Sequence, residues 1–222
     1  MKRFWNKHRR PAASWDSLRR VKPLSGNYGI DRGQPIDRYY IESFMDEHRR
    51  DIQGRVLEIQ TDGYTKKFGG SKVTRRDVLD IDPKNRAATF IDDLQTMHSV
   101  PSDSFDCAVV TQTLQYVYDI RSAVRNLFRI LKPGGVLLSA LPSVTRVDPG
   151  LKDTDYWRVT EVSTRRILEG YFSKNNIEIV TYGNVLTNMM FLMGLASHEL
   201  AKHELDHRDA NFPLVICVRA VK

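Results

Sequence analysis

Residues 105–142, FDCAVVTQTLQYVYDIRSAVRNLFRILKPGGVLLSALP, leave few folds open, because they read as strand, loop, helix, glycine turn and strand in one α/β unit. Cys107 to Val110 form an unbroken apolar run, as expected of a parallel strand covered on both faces. The spacing of Ile120, Ala123, Val124, Leu127 and Leu131 predicts a helix with one buried stripe, and Asp119 stands where its N-cap belongs. Pro133, Gly134 and Gly135 stop that helix, and Val136 to Leu141 begin the next strand. Ligands of open parallel sheets bind beyond the carboxyl ends of the strands, so Thr111 to Gln115 fall where a site is expected.

This unit resembles the class I S-adenosylmethionine (SAM)-dependent methyltransferases: Phe105-Asp106 opens a strand, RILKPGG ends a helix, and VLLSALP forms the following strand. The resemblance implies an α/β, Rossmann-like, seven-stranded and mostly parallel sheet with an antiparallel last strand, helices on both faces, and SAM as cofactor. The alternating segments Asn176 to Tyr182 and Leu214 to Val221 read as the sixth and seventh strands.

Several cofactor-binding residues follow from the resemblance. Gly54 to Ile59 looks like the first strand, and its terminal acid Glu58 lies in the family near the amino-acid end of SAM, with Ile59 and Gln60 beside it. The glycine-rich turn usual after this strand is replaced by Gln60-Thr61-Asp62-Gly63-Tyr64. Glycines there permit positive φ and close backbone approach, so the departure bears directly on cofactor binding. Gly69 and Gly70 are candidates to turn the chain into the second strand. An acid ending that strand would accept both ribose hydroxyls; Asp80 fits best, Asp77 is the second choice, and Asp82 also competes. After a third strand at Ala88 to Ile91, Asp93 and the backbone of Leu94 fit contacts to adenine. Thr111 closes the cofactor set at the end of the fourth strand. Residues 23–50 occupy the place of a lid, with Asp37, Arg38 and Tyr40 as candidates for contact with cofactor or acceptor; PIDRYYIE also looks like members tied to glycan and secondary-metabolite pathways.

For the acceptor, Gln112 and Gln115 can position a hydroxyl or sugar, although glutamine cannot take a proton. Residues 143–160 look like an acceptor-site insertion, in which Tyr156 and Trp157 offer flat apolar faces and Arg158 an anion fork; the same string also reads as a loop anchored by aromatic packing. No catalytic residue is assigned. Asp148, Asp153, Asp155 and His98 are candidate bases, each also readable as a loop or surface residue. His198, His203 and His207 are spaced by five and four, without the HExxH pattern, so no metal site is expected. They fall in a predicted helix over 185–207, whose apolar first half is too short to span a membrane and either packs on the sheet or makes a homodimer face.

Charge divides the 222 residues into a basic tail, 1–22, and a single domain, 23–222. The tail holds eight Lys or Arg and one acid, so the whole net charge of +7 sits there and the remainder balances at 26 basic and 26 acidic residues. A neutral body argues against a nucleic-acid partner. The basic start has no following apolar stretch of signal-peptide type, giving an expected cytoplasmic location. Cys107 and Cys217 read as reduced core thiols. Two functions remain: SAM-dependent methyl transfer, most simply to oxygen, on a small-molecule or saccharide acceptor, or a catalytically silent binding scaffold of the same fold that has lost the glycine turn.

Overall fold

The computed structural model describes residues 20–222, so the tail expected at 1–22 lies, up to residue 19, outside the described residues. Seven strands form one sheet in the order β3-β2-β1-β4-β5-β7-β6. They are β1 (Gly54–Ile59), β2 (Val73–Asp80), β3 (Phe90–Ile91), β4 (Phe105–Thr111), β5 (Leu131–Pro142), β6 (Ile177–Tyr182) and β7 (Val215–Val221). β1 to β5 pair in parallel, and only β7 runs against its neighbours β5 and β6. The order reverses between β1 and β4, the point at which an open α/β sheet parts its connections and leaves a crevice.

Successive residues of β4 feed two cores, because strand side chains alternate faces. Ala108 and Val110 pack with Leu57, Leu127 and Ile130 beneath helix α2 (Ile120–Ile130). Cys107 and Val109 pack with Tyr40, Phe44 and Val56 beneath α1 (Ile36–Glu47) on the opposite face. Cys107 and Cys217 are free thiols, fully buried there. The Asp119 carboxylate accepts the Ser122 N–H at 3.0 Å and caps α2, and Thr160 caps α3 (Glu161–Leu168) by accepting the Ser163 N–H at 3.2 Å.

Three boundaries differ from the sequence expectations. β5 begins at Leu131, which pairs with Phe105 before a bulge through Pro133-Gly134-Gly135 lets pairing resume at Val136. The third strand shrinks to Phe90–Ile91, since Asn85 to Ala88 form a turn in which Ala88 N–H donates to the Asn85 carbonyl at 3.1 Å and Ala87 N–H to the Asn85 side chain. The single helix expected over 185–207 is instead α4 (Val185–Leu192), a 3-10 turn at Ser197–Glu199 and α5 (Lys202–Asp206). Gly194 at φ +76° breaks it, in a position where a Cβ would run into Ser25. The loop before α1 packs there, Leu24 N–H donating to the Met193 carbonyl at 2.8 Å and Pro35 bridging to Ala196. Tertiary docking of that loop outweighs helical propensity in the interrupted segment.

Candidate functional site

At the carboxyl ends of β1, β2 and β4 lies a cleft of two chambers, about 360 and about 310 Å³, which share Gln60, Thr113, Tyr116 and Leu151 in their walls. The smaller is walled by Ile59, Asp80, Asp93 and Leu94. The larger is walled by Asp37, Arg38, Gln112 and Gln115 together with Tyr28 and Asp148.

Gln60 answers the missing glycines. It adopts φ +65° itself, with its N–H donating to the Leu79 carbonyl at 2.9 Å. Its own carbonyl accepts from Asn85 Nδ2 at 2.8 Å, and the same amide donates to Asp80 at 2.6 Å. Left-handed backbone is uncommon for glutamine, and the Asn85 bridge is one of the bonds that hold it. Gly70, at φ +61°, turns the chain into β2.

Asp80 is buried and accepts one bond on each oxygen, from Asp82 N–H and from Asn85, which leaves about two of a carboxylate's roughly four acceptor positions for a ligand. Asp93 accepts the Gln95 N–H at 2.8 Å, and neighbouring Asp92 is tied down by the His98 and Ser99 N–H groups. Those N–H groups hold the Asp92 carboxyl below its usual value against the opposing effect of burial.

Some expected site residues stand elsewhere. Asp77 is buried mid-strand between Arg55 at 2.7 Å and Arg75 at 3.0 Å and lines neither chamber. Glu58 accepts the Tyr64 and Thr65 N–H groups at 3.0 and 2.8 Å, so it closes the turn after β1 instead of facing the cleft. Burial lifts its carboxyl above the usual range, against the pull of those N–H groups. Tyr40 is a core residue, stacked on Tyr182 with its hydroxyl donating to the Leu205 carbonyl at 2.8 Å. Thr111 lies one step too deep in β4, and Thr113 takes the wall position.

The insertion is anchored rather than open. Tyr156 and Trp157 pack against Tyr118, their N–H groups donate to the Gln115 carbonyl, and neither ring lines the cleft. Arg158 is a clamp: it grips Asp155 at 2.5 and 2.9 Å and donates to the Thr145 and Arg146 carbonyls, which uses the fork expected for an anion. Of the candidate bases, Asp148 lines the larger chamber, Asp155 is spent on Arg158, Asp153 is exposed, and His98 is exposed with its backbone on Asp92. The described residues contain no cluster of three or more His, Cys, Asp or Glu suited to a metal ion, and His198, His203 and His207 are not brought together as one.

Within the larger chamber the side chains form a chain of amides. Gln112 Nε2 donates to Asp37 at 3.1 Å, Gln115 Nε2 donates to Gln112 Oε1 at 3.4 Å, and the buried Gln115 Oε1 has no partner. An orphaned buried acceptor is costly unless a ligand meets it. Tyr28, Asn85, Thr113 and Tyr116 were not singled out by sequence reasoning. The glycine-punctuated loop 25–33 was a signal for Tyr28, and the Asp82-Pro83 turn before Asn85 a signal for the other end.

This sheet order, with the cleft at its switch point, defines the class I SAM-dependent methyltransferase fold. Residues 51–139 match the methyltransferase domain family, and the chain has the fold of the class I SAM-dependent methyltransferases. Among solved structures it is similar to a SAM-dependent methyltransferase from Mesorhizobium loti (18% identity, 84% of this chain, 98% of that chain, TM-score 0.57). It is similar also to the N-methyltransferase NodS from Bradyrhizobium japonicum in complex with S-adenosyl-L-homocysteine (16% identity, 94% and 97% covered, TM-score 0.54). The [4+2]-cyclase SpnF has the same fold (16% identity, 93% and 90% covered, TM-score 0.56). A curated relative, the ubiquinone/menaquinone biosynthesis C-methyltransferase UbiE of Pasteurella multocida, is 43% identical over 49 residues; these make up 22% of this chain, which spans only 18% of that relative's length. No helix among the described residues is long and apolar enough to cross a membrane.

Proposed function

We propose that the protein binds SAM across the two chambers and transfers its methyl group to a hydroxyl of a small, polar acceptor such as a saccharide. The observation that carries this reading is the continuity of the cleft: the buried acid Asp80 and the half-buried Asp93 wall one end, and the orphaned Gln115 oxygen stands in the other. The residues present fit the cofactor. Asp80 has acceptor positions left for ribose hydroxyls, Asp93 and Leu94 stand beside it for adenine, and Ile59 and Leu79 supply apolar wall.

The bound cofactor supplies an already electrophilic methyl group. The chain's own task is to hold the acceptor atom in line and to take its proton. Gln115 Oε1 needs a donor, which a hydroxyl provides, and Gln112 holds that amide in place. Asp148 is the candidate base that lines this chamber, and it accepts the Tyr28 hydroxyl at 3.0 Å. Asn27, Thr113 and Thr145 add polar wall suited to a polyhydroxylated ligand.

Calorimetric titration with SAM and with S-adenosylhomocysteine, with and without a chelator, tests the reading. Micromolar binding of both, unchanged by the chelator, is the expected result. A second reading, a silent scaffold of this fold, is favoured by Gln60-Thr61-Asp62 standing in place of the usual glycines. No heat and no thermal shift with either compound would decide for it.

A further inference from the structure

Resting on that cofactor reading, we infer that Asp37 and Arg38 form a receptor for an α-amino-acid zwitterion, Asp37 meeting the ammonium and Arg38 the carboxylate at the methionine end of the donor. They replace Glu58, the acid that the resemblance would place there. Glu58 is consumed by the Tyr64 and Thr65 N–H groups and lies outside the walls of both chambers.

Asp37 and Arg38, at the start of α1, both wall the larger chamber along with Gln60, which also belongs to the smaller one. An adenosine seated on Asp80 and Asp93 therefore projects its 5′ substituent past Gln60 toward this pair. The two side chains carry opposite charges and feel each other through space, but they form no direct ion pair. The Asp37 carboxylate accepts only neutral donors, the Arg38 backbone N–H at 2.8 Å and Gln112 Nε2 at 3.1 Å. The Arg38 guanidinium donates to the Tyr64 hydroxyl at 2.6 Å, and Glu42, one turn along α1, is engaged by Lys67 at 2.8 Å. Among the described residues neither Asp37 nor Arg38 is in an ion pair.

A buried carboxylate such as Asp37 without a direct ion-pair partner is costly, and both it and the half-buried Arg38 have hydrogen-bonding capacity left: about two acceptor positions on the carboxylate and about four of five donors on the guanidinium. A zwitterion satisfies both at once with charge-assisted bonds, whereas a neutral hydroxyl satisfies one and leaves the other. Burial also lifts the Asp37 carboxyl above its usual value, with Arg38 opposing, and an ammonium beside it would relieve that strain on the charged form.

Calorimetry on the full chain and on Asp37→Asn and Arg38→Gln, with S-adenosylhomocysteine and with 5′-methylthioadenosine, reads the inference directly. Methylthioadenosine keeps the nucleoside and lacks the amino-acid end. Each substitution is expected to weaken S-adenosylhomocysteine about tenfold or more and methylthioadenosine by less than about twofold, the latter also showing that the variants fold. Equal losses for the two ligands, or none, would overturn the receptor while leaving the cofactor reading intact. Asp37→Asn weakening SAM but not S-adenosylhomocysteine would also overturn it, since Asp37 would then face the sulfonium. If the unsubstituted chain binds none of the three, the cofactor reading itself fails and the receptor with it.

Discussion

The Tyr28 hydroxyl donates to the Asp148 carboxylate at 3.0 Å, joining two residues 120 positions apart in the wall of the larger chamber. Arg146 lies over the Tyr28 ring, 3.8 Å from its centroid, so the loop before α1 and the loop after β5 are fastened by one aromatic side chain. Burial, followed by the bond to Asp148, pushes the Tyr28 phenol well above its usual pKa, which keeps it a donor at physiological pH. Tyr28→Phe should cost about 0.5–1.5 kcal/mol of stability, the usual net worth of one hydrogen bond. It should raise the acceptor KM while S-adenosylhomocysteine affinity, measured by calorimetry, stays unchanged. A loss of cofactor affinity would show that the fastening shapes both chambers.

Asp80→Ala and Asp93→Ala should each weaken SAM by about tenfold or more, because each removes charged acceptors from the smaller chamber. Asp77→Ala should behave differently. It leaves Arg55 and Arg75 without their shared buried partner and should lower the melting temperature, with cofactor affinity retained in the protein that folds. Calorimetry beside thermal melts separates the two classes, and an Asp77 variant that melts normally but no longer binds SAM would reverse the assignment.

Gln115→Leu removes the orphaned oxygen, which offsets loss of the long 3.4 Å bond from its Nε2 to Gln112, and should be near neutral in the free protein. Once an acceptor is identified, its kcat/KM should fall by about tenfold or more, with S-adenosylhomocysteine binding within about twofold of the parent. Asp148→Asn should instead lower kcat by about a hundredfold or more if the carboxylate takes the proton. Acceptor kinetics under saturating SAM read both.

Two carboxyls carry pH signatures of opposite sign. The Arg158 guanidinium, partly offset by burial, holds the Asp155 carboxyl below its usual value. Its stabilisation is therefore complete above the unfolded carboxyl pKa, about 3.9, and is lost as pH falls through the lower folded value. Glu58 is lifted by burial, so its contribution is complete below its unfolded pKa of about 4.3 and declines as pH rises through the folded one. Protection factors of amides in residues 143–158, corrected for the intrinsic pH dependence of exchange, should fall on acidification from pH 4 toward pH 2 in the parent. Arg158→Met should show that looseness already at pH 7, and a loop equally protected in both would rule out the clamp.

The elements around β4 and α2 were readable because their signals are local: an apolar run, a capping aspartate and a stripe at helical spacing. Asp80, Asp93, Gln112 and Gln115 stand on the walls of the cleft, because strand ends are fixed by the same pattern. The segment 185–207 was misread as one helix because its apolar periodicity says nothing of the loop that docks at Gly194. Tyr156, Trp157 and Arg158 had the right chemistry for an acceptor, but their partners Tyr118, Asp155 and the 145–146 carbonyls are revealed only when the loop closes.

The sequence by itself determined the alternation of strands and helices, and hence the sheet and the end of it where a ligand binds, since side-chain periodicity and turn chemistry are properties of neighbouring residues. Only the tertiary structure decided how each charge is used. Glu58, Asp77 and Asp155 are absorbed by N–H groups and arginines, whereas Asp37, Arg38, Asp80 and Asp93 face the cleft. A carboxylate's role depends on which donors reach it, and here those donors include residues as distant in sequence as Arg55 from Asp77 and Gln112 from Asp37.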